Sequence, residues 1–106
     1  MKLGVVVSTN DPEVAFNAMR LANFATNEGD EVAVFLMNAG VELDQIEDTK
    51  FNIRGQTEVF MAAGGRIMAC GTCLKLRNSE GSEICPMSTM NDLYHLLLDS
   101  DRVISF

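Results

Sequence analysis

The sequence predicts an α/β fold, a mainly parallel sheet of about five strands with helices on both faces. Three observations predict it. Valine-rich apolar runs are continuous, as in strands covered on both sides, and do not alternate as in a half-exposed sheet. Stretches with apolar residues at helical spacing separate these runs. Each connection is long enough for a right-handed crossover. Helices on both faces of a parallel sheet are the usual packing solution for such an alternation.

The elements follow in order. Leu3 to Val7 is the first buried strand. Asn10 or Asp11 can cap the next helix, with Pro12 in its first turn and Glu13 favouring its positive end. Val14, Ala18, Leu21, Ala22 and Ala25 give that helix its apolar positions, and Gly29 ends it. Glu31 to Met37 is a second buried strand, broken by Asn38, Ala39 and Gly40. Residues 41–51 are acidic and irregular and read as a surface loop. A second helix is expected from about Asn52 to Ala63, stopped by Gly64 and Gly65. Arg66 to Ala69 is a short third strand, and residues 71–78 are a short helix. After a polar turn from Asn78 to Ser82, Glu83 to Cys85 is a very short fourth strand ended by Pro86. Ser88 caps a last helix carrying Leu93, Leu96 and Leu97, and Arg102 to Phe106 is the final strand.

With 106 residues the chain is sized for one domain, 1–106. Its 47% hydrophobic and 22% charged residues are ordinary for a globular protein and argue against disorder. The formal net charge of −7 repels phosphate backbones and anionic bilayers, so neither nucleic acid nor membrane is an expected partner. No apolar run reaches spanning length, and the early Asp11–Pro12 rules against a signal peptide. The expected location is the cytoplasm. Three cysteines in a reducing compartment are poor candidates for structural disulfides and need another account.

Cys70 closes the third strand, at the sheet end where open parallel sheets carry their reactive groups. Gly71 lets the backbone turn, and Thr72 can cap a helix whose first turn holds Cys73. A helix start presents unpaired N–H groups and partial positive charge, which favour a thiolate. Lys75 and Arg77 add positive charge to an otherwise acidic protein. The arrangement suits a nucleophilic sulfur. Cys85, in an apolar stretch beside Pro86, reads as a buried side chain without chemistry.

Rival readings are weaker. Cys70, Cys73, Cys85 and His95 make a nominal zinc set, but only the Cys-x-x-Cys half has ligand spacing, and no metal is expected. A thiol–disulfide oxidoreductase also places Cys-x-x-Cys at a strand-to-helix junction, but here no tryptophan precedes the pair. A cysteine–histidine hydrolase would depend on the single histidine, His95. No G-x-G-x-x-G or Walker-type loop occurs, so nucleotide binding has no support and no cofactor is expected. The seven methionines read as core filling, and Glu42 to Asp48 as a solvated stretch.

The stretch MACGTCLKLR, the ending STMNDLYHLLLDSDRVISF and the segment NEGDEVAVFLMNAGVEL together resemble the DsrE/DsrF-like family, which includes the TusD-type sulfur relay proteins. The resemblance spans nearly the whole chain. It implies a three-layer α/β/α sandwich that assembles into homo- or hetero-oligomers. It also implies a cysteine that takes sulfane sulfur as a persulfide from a donor protein and passes it to an acceptor protein. Cys70 is the best match for that cysteine, with Cys73 the alternative, and Arg77 falls where the family carries basic residues. TusD-type members have one cysteine followed by Arg-Arg-Gly. This chain has two, and Asn78 follows Arg77. A non-catalytic oligomeric subunit is the competing role within the same family.

Overall fold

The computed structural model describes residues 1–106 and contains one sheet of five strands, all parallel. In chain order the elements are β1 (Lys2–Val7), α1 (Pro12–Asn27), β2 (Glu31–Leu36), a 3-10 segment (Asn38–Gln45), α2 (Ile53–Ala62) and β3 (Arg66–Cys70). They continue with α3 (Gly71–Leu76), β4 (Met87–Ser88), α4 (Met90–Asp99) and β5 (Arg102–Ser105). Strand order is β4-β3-β2-β1-β5. The chain therefore steps outward from β1 to β4 and returns through α4 to place β5 on the far side of β1.

The alternation of side chains along β1 divides the layers. Leu3 lines a groove with Leu21, Phe24 and Ala25 of α1. Gly4 points the other way, where a Cβ would sit 2.6 Å from Leu96 and 2.9 Å from Ser100 at the α4 end. Helices α1 and α2 thus cover one face and α4 the other, giving the three-layer α/β/α sandwich. Asn23, buried on α1, donates from Nδ2 to the backbone and side-chain oxygens of Gln56 at 2.9 Å each, tying the two helices together. Alanines 15, 18, 22 and 25 let α1 lie close on the sheet, above a core of Val5, Val7, Val34, Leu36 and Ile67.

Most of α1 follows expectation. Asp11 is the cap, accepting from the Val14 N–H at 3.0 Å, with Pro12 opening the helix. Gly29, at φ +94°, follows its end. The buried stripe runs through Ala15 and Met19, while Val14 turns outward. Asn52 caps α2 by accepting from Gly55 N–H at 2.9 Å.

Three local expectations are corrected. The stretch expected as a surface loop from residue 41 begins inside the 3-10 segment, with Gly40, Val41 and Leu43 buried. Gly40 lies so close to the end of β1 that a Cβ would meet the Val7 carbonyl oxygen at 2.0 Å. The fourth strand lies after Pro86, at Met87–Ser88, and not at Glu83–Cys85. Proline has no N–H to give a ladder; its carbonyl instead accepts from Ala69 N–H at 3.0 Å and starts the pairing there. The cap of α4 is Thr89, not Ser88, because Ser88 is used in pairing with Cys70. Thr89 and Asp92 form a reciprocal capping box. On α4 only Leu96 is buried, and Leu97 is exposed.

Candidate functional site

The two cysteines meet where β3 becomes α3. Cys70 is both the last residue of β3 and the N-cap of α3, so Cys73 is the third helical residue. Thr72, expected as the cap, is instead the second helical residue and is exposed. No side chain caps this helix start. Gly71 serves a different purpose from the expected one. Its φ is not positive; a Cβ there would press on the Ser88 carbonyl at 3.0 Å and on Met87 at 3.1 Å. The glycine admits the edge strand β4 against the turn.

Cys70 is buried and Cys73 is half-buried, both as free thiols. The Cys73 sulfur accepts a hydrogen bond from the backbone N–H of Asn38 at 3.1 Å. Asn38 starts the 3-10 segment at φ +52°, the left-handed region that asparagine tolerates better than most residues. The end of β2 therefore reaches across to the thiol at the end of β3. Burial raises the Cys73 thiol above its ordinary range, and the neighbouring Cys70 thiol adds to the rise; the Asn38 N–H and the Arg77 charge oppose it. The expectation that a helix start would depress this thiol is overturned at Cys73, because loss of solvent outweighs the backbone donor.

Arg77 acts as a clamp. Its Nε donates to Glu42 Oε2 at 2.7 Å and its Nη1 to the Cys73 carbonyl at 3.1 Å. It thus ties the 3-10 segment to α3. The same guanidinium, with a hydrogen bond from Asn10, holds the Glu42 carboxyl below the usual carboxylate range. Glu42 lay in a stretch read as solvated, and Asn38 in one read as a break. The Asn-Ala-Gly sequence at a strand end was the available signal for the left-handed turn.

Cys85 is sealed in the core, and burial, with Asp44 nearby, pushes its thiol up to about 12. Ser82 links the two segments over it, donating from Oγ to Asp44 Oδ2 at 2.7 Å and accepting from Cys85 N–H at 3.0 Å. His95 lies on α4, exposed, with its ring 5.9 Å from Tyr94. The four residues of the nominal zinc set form no common cluster. The cysteine pair, at the end of β3, also stands two strands from β1 and three from β5, between which the strand order reverses. A cavity of about 160 Å³ beside α3 is lined by Val41, Glu42, Gln45, Leu74, Arg77 and Ser79, with neither thiol in its wall. What the arrangement offers is a pair of thiols at the carboxyl end of the sheet, one of them gripped by main chain.

The model of the DsrE/DsrF-like family matches residues 1–106. Among curated proteins, the chain is 31% identical to the uncharacterized protein MJ0989 of Methanocaldococcus jannaschii, covering 100% of both. It is 35% identical over 100 residues to the uncharacterized protein MK0008 of Methanopyrus kandleri, covering 89% of this chain and 83% of that one. The crystal structure of the ychN protein from E. coli superposes with a TM-score of 0.85 at 25% identity, over 100% of each chain. No helix is long and apolar enough to cross a membrane.

Proposed function

This chain belongs to the DsrE/DsrF-like family, and from that premise we propose that it carries sulfane sulfur as a persulfide on Cys70. Membership suggests a role related to sulfur relay. The observation that carries the finer reading is the position of Cys70, closing a buried strand and opening a helix whose first N–H groups no side chain caps. The Cys73 thiol is the direct neighbour of the Cys70 sulfur.

The exchange needs no cofactor. The Cys70 thiolate attacks the outer sulfur of a donor persulfide, the S–S bond of the donor breaks, and the donor thiolate leaves and takes a proton. Cys70 then holds the sulfane sulfur. An acceptor thiolate attacks that outer sulfur in turn, and Cys70 leaves as a thiolate. Donor and acceptor are proteins in this reading, acting in the cytoplasm. Support comes from the thiols' place at the carboxyl rim of the sheet, where Gly71 between them packs against the exposed Met87. Arg77 holds the cradle in shape through Glu42 and the Cys73 carbonyl.

The protein also assembles into oligomers in this reading. Support comes from Tyr94, Leu97 and Leu98 on α4 and Val103 on the edge strand β5, all exposed, with Val103 paired with Gly4 on the α4 face. Isolated exposed apolar residues are ordinary, but a run of them on one helix and the adjoining edge is a contact surface.

The test is incubation with a low-molecular-weight persulfide, then intact-mass spectrometry under non-reducing conditions. The wild type and Cys73→Ser gain one sulfur atom, and Cys70→Ser gains none. Absence of uptake by both the wild type and Cys73→Ser would end the proposal.

A further inference from the structure

We infer that Cys73 discharges the sulfur carried on Cys70 as hydrosulfide, closing a Cys70–Cys73 disulfide. The inference rests on the carrier reading above and assigns the second thiol an activity of its own. The Cys73 thiolate attacks the Cys70 sulfur, the bond to the outer sulfur breaks, and that sulfur leaves as hydrosulfide. The proton released from Cys73 goes to the departing sulfide. The sulfane sulfur is reduced by two electrons and the two cysteines are together oxidised by two, so no external oxidant enters. A dithiol reductant reopens the disulfide for the next load.

The geometry favours this partner over any other. Cys70 at the N-cap and Cys73 at the third helical position are three residues apart at a helix start. The two side chains lie within hydrogen-bonding reach of each other, the contact from which a disulfide can close. The Cys70 thiol is a direct neighbour of Cys73 and acts on its titration. Cys85, the one remaining thiol, is sealed beneath the 79–86 turn and bonded into it. The Asn38 N–H fixes where the Cys73 sulfur waits. Burial keeps that sulfur protonated more than an ordinary thiol, so the cargo outlasts loading and an acceptor has time to take it before self-discharge.

The experiment loads wild type, Cys73→Ser and Cys73→Ala with glutathione persulfide under anaerobic conditions and removes the donor. Free sulfide and alkylated intact mass are then followed. The wild type is expected to pass from the sulfur-bearing mass to a species two hydrogens lighter than the reduced chain, releasing one sulfide per chain. Both variants keep the sulfur at least about tenfold longer. Uptake in the variants with equal loss in wild type and variants, or loss without the lighter species, overturns the inference and leaves the carrier reading intact. No uptake in wild type or variants removes both. Independently of loading, diamide should convert wild type, and neither Cys70→Ser nor Cys73→Ser, to an intramolecular disulfide that resists alkylation. Failure of that closure also overturns the inference.

Discussion

Asn38 carries two duties in one residue. Its left-handed backbone starts the 3-10 segment, and its N–H holds the Cys73 sulfur. A β-branched side chain pays for φ +52° through its own sterics, so Asn38→Val should lower stability by about 1–2 kcal/mol in urea titrations, while Asn38→Gly stays close to wild type. Alkylation of Cys73 should be faster in the valine variant as the grip loosens. Cys85 makes a prediction of the opposite kind, one about pH. Its thiol is pushed up to about 12 in the folded chain from an ordinary 9.0. Between those values the unfolded chain has lost a proton that the folded chain still holds, so this group's contribution to stability is whole below about pH 9 and is lost as pH rises toward about 12. Denaturant melts at successive alkaline pH values should show that decline, and Cys85→Ala should remove this component of the slope.

Elements differ in how openly the chain announces them. Strands β1, β2 and β3 were legible because Val5, Val7, Val34, Leu36, Ile67 and Ala69 sit in unbroken apolar runs, and such runs mean burial on both faces. Helix α2 was legible from Asn52 and the Gly64–Gly65 stop. The 3-10 segment was not. Val41 and Leu43 are interleaved with Glu42 and Asp44, so no helical or strand period shows, and their burial comes from how the segment seats on Val7 and Leu74 neighbours distant in sequence. Strand β4 was misplaced because two residues have no period, and its limits are set by Pro86 and by the pairing of Ser88 with Cys70. At the site, the cysteine pair and its junction could be read, but the thiol's burial could not. The seating of the 3-10 segment yields a test at this scale. Gly40→Ala forces a Cβ into the Val7 carbonyl at 2.0 Å and should cost about 1–3 kcal/mol or more, with a rise in exchange of the Asn38 amide.

For the molecule as a whole, uneven coverage is the main feature. Two helices and a folded segment protect one face and one end, while the other face has only α4, of which Leu96 alone is buried. Both sheet edges, β4 and β5, are short, as edges that must not pair at random tend to be. The formal charge of −7 opposes indiscriminate association and leaves shape and apolar contact to select partners. If α4 and β5 form the proposed contact surface, sedimentation of the wild type should show a species larger than one chain. The Leu97→Glu and Leu98→Glu double variant should sediment as a single chain with an unchanged circular dichroism spectrum. A parallel sheet also has a direction. Its thiols lie at one rim, and the opposite rim is closed by the Met1–Asp30 ion pair at 2.8 Å and by the Asp101 carboxylate on Lys2 N–H at 2.7 Å. Anyone wishing to tether this protein to a surface or attach a dye has a natural handle there: exposed Glu28, beside the Gly29 turn, can bear the anchor while the working rim still faces the solution.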